Sequence, residues 1–198
     1  RQAQDGDIAI LIALASSVYK NLPYQHYGSR KAWAEFIRDN YSLVCEDKGR
    51  IVAHGALELM TDKGILSRSF VAEAYRQRGL YSELVQLRIE KALQHDLGHL
   101  ETYVSTYTNL TQRILIERFG FIPAGIRLLD AEDVMNIGQR ESLVVLRKPL
   151  TDTTTTPPEK PKMVQGKVPL AYDKANGWRY AQIPDGFDPF KLRLHNTV

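Results

Sequence analysis

The chain has 198 residues, 43% of them hydrophobic, which suffices for one sizeable core but not two and excludes wholesale disorder. Twenty-six Lys and Arg against 23 Asp and Glu leave a net charge of +3, too weak and too dispersed to mark a nucleic-acid surface. No apolar run reaches the ~18 residues of a membrane helix, and one cysteine, Cys45, with five scattered histidines offers neither an internal disulfide nor a structural metal site. The expectation is a reduced, cytoplasmic protein without metal.

In chain order, Asp7 precedes Ile8, Leu11, Ile12, Leu14, Ala15 and Val18, a spacing that predicts an amphipathic helix capped at Asp7. Residues 30–38 read as a second short helix, after a turn-prone stretch at 21–28. Segments 41–46, 50–60 and 65–71 are strand-like and are parted by Asp-Lys-Gly and Thr-Asp-Lys-Gly, which predicts an antiparallel meander. Residues 79–96 carry a broad apolar helical face that stops near Gly98. A strand at 100–106, a helix at 110–119 ended by Gly120, and two strands at 121–129 and 142–147 complete the order. The fold class is α/β with a mixed sheet.

Residues 151–162, TDTTTTPPEKPK, contain no apolar side chain and read as a linker. The last stretch, 163–198, is a short C-terminal extension that cannot bury a core alone. It is expected to pack on the domain spanning 1–150, on a partner, or on a further segment.

The chemistry-bearing step is RQRGLYSEL, from Arg76 to Leu84, between a strand and the long helix. Backbone N–H groups at a helix start lack intrahelical partners and sit at the positive end of the dipole, so a glycine turn there holds phosphate oxygens. Gly79 permits close backbone approach, Arg76 and Arg78 bring charge, and Ser82 adds a hydroxyl one turn in. Further on, Asn109 and Gln112 have the N-cap and N3 spacing of a capping box, and that helix closes at ERFGF.

Together, VAEAYRQRGLYSEL and NLTQRILIERFGF resemble the two signature motifs of the GNAT acyltransferase superfamily. The first departs from the family pattern only at Tyr81, where Gly or Ala is usual. The second departs at Gln112, usually Ala or Ser, and at Ile116, where many members carry a proton-donating tyrosine. RQAQDGD at the start is similar to the family's first-strand ending, which implies that most of that strand lies before Arg1.

The resemblance implies a sheet with splayed central strands and acyl-CoA, acetyl-CoA or a relative, in the notch. It implies that free backbone groups of Phe70 and Val71 meet the pantetheine arm and that amides from Arg76 through Gln77, Arg78, Gly79 and Leu80 to Tyr81 meet the pyrophosphate. A Tyr81 side chain turned outward leaves its amide free for this. Asn109 would bond the pantetheine from the other strand. The implied activity is acyl transfer to an amine on a small molecule or a protein. A homodimer is admitted; neither nucleic acid nor membrane is expected as a partner.

For the base, neighbouring strands offer His54, Glu58 and Glu101, of which Glu58 is named; for the acid, Tyr103, Ser105 and Tyr107 stand at or past the fifth strand, and Tyr107 is named. Tyr24, His26 and Tyr27 are candidates for an acceptor wall. Cys45, remote from both motifs in sequence and without an activating neighbour, favours direct transfer over a covalent intermediate. The rival expectation is an acyl-CoA sensor or scaffold without turnover, docking a partner through the C-terminal extension.

Overall fold

The computed structural model describes residues 1–19, 29–105, 109–128, 142–150, 170–173 and 178–181. A 3₁₀ turn, Asp5–Asp7, leads into α1, Ile8–Tyr19, and α2 spans Arg30–Asp39. Asp7 does not cap α1 as expected. Its carboxylate accepts from the Gln4 amide at 2.8 Å and from Arg1 Nη1 at 2.7 Å, so it closes the preceding turn instead. Ser29 does cap α2, its hydroxyl accepting from the Ala32 amide at 3.3 Å.

The meander follows as β1 Tyr41–Asp47, β2 Arg50–Leu59 and β3 Lys63–Val71, paired antiparallel in that order. Helix α3, Leu80–Leu93, returns the chain to β4, His99–Ser105, which lies parallel to β3. The next helix differs from the expected continuous 110–119. A short α4, Asn109–Arg113, passes into a π-helical turn, Ile114–Arg118, and Gly120 at φ +68° closes it. Strands β5, Ile122–Leu128, and β6, Ser142–Pro149, join the same mixed sheet, which has eight strands in all, β6 lying between β4 and β5. The C-terminal extension contributes β7, Leu170–Asp173, and β8, Trp178–Ala181, a hairpin whose β8 pairs with β5.

Helices cover both faces. Ile8, Leu11 and Ala15 of α1 and the fully buried Trp33 of α2 pack on Val44, Ile51 and Phe70 of one face. On the other, Val85, Ile89 and Ala92 of α3 and Leu115 and Phe119 near α4 pack on Leu57, Leu66, Leu100 and Leu146. No helix among the described residues is long and apolar enough to cross a membrane.

Candidate active site

Two features of β3 open the sheet. Only Lys63 to Leu66 pair with β4, against His99 to Thr102; beyond these, β3 runs on to Val71 and β4 to Ser105 without joining. In addition, His54 and Ala56 of β2 oppose Phe70 and Ser67, so two β3 residues, Arg68 and Ser69, stand against the single Gly55. Arg68 takes φ +45° in this bulge. Arg68 turns toward α2, its guanidinium carbon 4.6 Å from the Trp33 ring centroid and 3.7 Å from that of Phe36. Ser69 turns toward α3.

The two expected pantetheine contacts are not equivalent. The Ala72 amide donates to Val52 O at 2.8 Å, so strand alternation directs the Phe70 backbone toward β2 and that of Val71 toward the notch. The Ser69 carbonyl lies on the same edge as Val71 and accepts from the Tyr19 hydroxyl at 2.9 Å.

At the top of the notch, Gly79 holds φ +82° as the N-cap of α3, and Gln77 just before it is also left-handed at φ +61°. Alternating backbone hands of this kind gather amides into a concavity that suits anions. The Glu83 amide, bonded to Gly79 O at 3.0 Å, is the first to enter the helix ladder, so those of Leu80, Tyr81 and Ser82 precede it. A Cβ on Gly79 would meet nothing within 4 Å, leaving open space for a ligand. A groove of about 380 Å³ lies alongside, lined by Gly79, Ser82, Glu83, Gln86, Leu87 and the Arg118–Phe119 corner. Arg76 and Arg78 are exposed beside the turn, Arg78 4.8 Å from the Tyr75 ring centroid.

Other expected residues fall differently. The Tyr81 side chain is turned inward, packed on the core cluster shared by α3, β4 and the α4 turn; burial pushes its hydroxyl up to about 12. The outward orientation expected of it is incorrect, because position 81 lies on the same α3 face as Val85 and Arg88. Gln112 does not complete a capping box: it is buried and donates from Nε2 to Ser105 O at 2.9 Å, tying α4 to the end of β4. Ile116 packs half-buried on the same cluster as Tyr81. Asn109 is the first residue of α4, but its side chain, with Tyr107, Tyr24, His26 and Tyr27, lies outside the described residues.

Glu58, Ile65, Glu101 and Arg147 form one cross-strand row on the face opposite α3. Glu58 is half-buried there, and its charge adds to the forces that raise the Tyr103 hydroxyl, of which burial is the largest, followed by Glu101. Glu101 is committed elsewhere, accepting from Lys63 at 2.9 Å, Arg147 at 2.6 Å and the Tyr103 hydroxyl at 3.2 Å. Burial alone would raise its carboxyl; the Lys63 and Arg147 cations override that and hold it at about 2. His54 is fully buried, and desolvation lowers it to about 4. Neither is a base for the notch. Burial raises the Cys45 thiol, which makes it a poor nucleophile.

Sequence reasoning missed Arg88, a buried guanidinium below the bulge, although a lone arginine inside the apolar stripe of α3 was visible.

The Acetyltransferase (GNAT) family model matches residues 10–121, more than half of the chain, and the chain belongs to that family. The general activity this carries is acyl-CoA-dependent N-acetyl transfer. Among solved structures, a ribosomal-protein-alanine N-acetyltransferase from Brucella melitensis superposes with TM-score 0.63 at 18% identity, covering 75% of this chain and 98% of that one. PaiA N-acetyltransferase from Thermoplasma acidophilum, in complex with coenzyme A, gives 0.61 at 14% identity, over 75% and 96%. YncA from Salmonella typhimurium, a putative acetyltransferase with acetyl-CoA, gives 0.61 at 16%, over 79% and 95%. These identities establish the shared fold. No curated protein matches the chain.

Proposed function

We propose that this chain transfers the acetyl group of acetyl-CoA directly to an amine, carried by a small molecule or a protein. The observation that carries this reading is the left-handed Gly79 turn opening α3 beside two strands that part after Leu66 and Thr102. In this reading the amides of Gly79, Leu80, Tyr81 and Ser82 take the pyrophosphate, flanked by Arg76, Gln77 and Arg78. The pantetheine arm runs along the edge of β3 at Val71, with Phe70 behind it and Asn109 opposite. The inward Tyr81 ring narrows this path, so the arm passes beside it or displaces it.

The amine nitrogen attacks the thioester carbon: a C–N bond forms and the carbonyl electron pair moves onto oxygen. That pair then returns, the C–S bond breaks, the sulfur leaves as thiolate, and the surplus proton on nitrogen passes to a base or water. We assign Glu58 as the base, because it is a half-buried carboxylate without an ion-pair partner among the described residues. Tyr107 is assigned as the proton donor to sulfur. A thiol of pKa near ~8.5 also leaves tolerably as the anion, so the apolar Ile116 weakens transfer without abolishing it.

A second reading, an acyl-CoA sensor without turnover, is favoured by Ile116 together with the inward Tyr81. Titration calorimetry with acetyl-CoA, combined with free-thiol release across an amine panel, separates the two. Binding with turnover on at least one amine supports transfer, and binding with none supports the sensor. Gly79→Val tests the shared site. It costs about 1–2 kcal/mol of backbone strain and its Cβ meets nothing within 4 Å, so the fold should persist while acetyl-CoA affinity is lost. An unchanged dissociation constant would remove the assignment.

A further inference from the structure

Arg88 stands in the middle of the apolar stripe of α3, between Leu84, Val85 and Ala92, and is fully buried. Its Nε donates to Leu84 O at 2.8 Å within the helix. Its Nη1 reaches the bulge from below, donating to Ala56 O of β2 at 3.0 Å and to Ser69 Oγ of β3 at 2.9 Å, with Ser67 O at 3.5 Å. Its Nη2 is buried without a hydrogen-bond partner, and no carboxylate among the described residues pairs with the guanidinium. Gly55 makes the room: a Cβ there would stand 3.0 Å from Arg88 Cζ and 3.2 Å from each Nη.

A buried cation with no counter-charge and an unfilled donor is costly, and an aliphatic side chain would fill this position more cheaply. Desolvation lowers its pKa only to about 10, so it remains charged at neutral pH. The field of that charge acts over a longer range in a low-dielectric interior than it would at the surface. On the β3 side Nη1 meets the bulge just beyond the point where β3 leaves β4, at Ser69, whose hydroxyl donates onward to Ser67 O at 3.4 Å and whose carbonyl lies on the notch edge.

Building on the acetyl-transfer reading, we propose that Arg88 is a positioning residue that stabilises the negative charge formed first on the thioester oxygen and then on the departing sulfur. It acts through Ser69 and the bulge peptides that it clamps, and does not itself touch the substrate. Negative charge developing in the notch is then the counter-charge that the guanidinium lacks at rest. The same charge compensates for Ile116, because it eases departure of the sulfur as a thiolate, which Tyr107 then protonates.

The probe is acetyl-CoA labelled with ¹³C at the carbonyl, followed by difference infrared spectroscopy alongside calorimetry. On binding to the wild-type protein, the carbonyl band should move to lower frequency. Arg88→Met should lose that shift, Arg88→Lys should restore part of it, and the acetyl-CoA dissociation constant should stay near the wild-type value in both. With an amine from the panel, Arg88→Met should lower kcat about 10²-fold, the scale of one lost electrostatic donor, with little change in KM for acetyl-CoA. If Arg88→Met does not fold, Ser69→Ala decides: it keeps the cation, cuts the relay, and should also lose the shift. A band shift that survives Ser69→Ala and Arg88→Met overturns the proposal. Absence of acetyl-CoA binding by the wild-type protein would instead overturn the reading on which it rests.

Discussion

His54 illustrates at the residue scale how burial converts a sensor of mild acid into a stability term. Its ring is stacked on Phe70 at 5.1 Å and meets Trp33 edge-on at 5.2 Å. Arg68 O, 2.7 Å from Nδ1, can only accept, so Nδ1 carries the hydrogen and Nε2 accepts from the Ser42 hydroxyl at 2.8 Å. The neutral ring is therefore fully used, and desolvation lowers its pKa from the ordinary 6.5 to about 4. Between these values the unfolded chain takes up a proton that the native state refuses, so stability falls as pH falls, by about 3 kcal/mol over the window. His54→Gln should flatten that slope in denaturant unfolding measured from pH 7 to 4.5. Glu101 contributes separately, below about 4.5, where protonation progressively breaks its pairs with Lys63 and Arg147 down to about 2. A wild-type stability that is level from pH 7 to 4.5 would show that His54 is not held neutral.

At the scale of elements, the notch depends on how firmly β3 and β4 hold one another before they part. The four pairs from Lys63–His99 to Leu66–Thr102 form a short parallel ladder, and Gly64 sits inside it opposite Leu100. A Cβ on Gly64 would come within 2.6 Å of Leu57 Cδ1 and 2.7 Å of Leu100 Cδ2. Gly64→Ala should therefore overpack this layer and cost about 1–3 kcal/mol, read as a lower urea midpoint at constant m. An unchanged midpoint would mean that both leucines repack freely. The meander and the strand–turn–helix step were legible in the sequence because their signals are local: Asp-Lys-Gly, Thr-Asp-Lys-Gly, and a glycine ahead of an apolar stripe. The bulge was not, because an extra residue in β3 is defined only against Gly55 of another strand. Gln112 and Tyr81 were misread for a similar reason. Spacing placed Gln112 at a cap, and a free amide for the pyrophosphate called for an outward Tyr81, yet Ser105 O draws the one inward and the α3 core face draws in the other. Arg88 was visible as a charge in an apolar stripe, but its meaning required Gly55, Ala56, Ser67 and Ser69 to be brought around it.

At the scale of the whole molecule, the question is what the C-terminal hairpin does for the sheet. It covers an edge: Ile126, Arg127 and Leu128 of β5 pair with Ala181, Tyr180 and Arg179. Uncovered, β5 would present unpaired amides and carbonyls to any other strand, the usual route to association through sheet edges. A chain ending at Leu150 should therefore keep its far-ultraviolet circular dichroism signature of a mixed sheet and its acetyl-CoA affinity, since α3, β3 and β4 all precede the cut. It should also self-associate more strongly than the full chain, as measured by light scattering on a size-exclusion column across a concentration series. Loss of folded structure on truncation would make the hairpin part of the core, whereas equal association of both chains would mean that the β5 edge is protected by something other than β8.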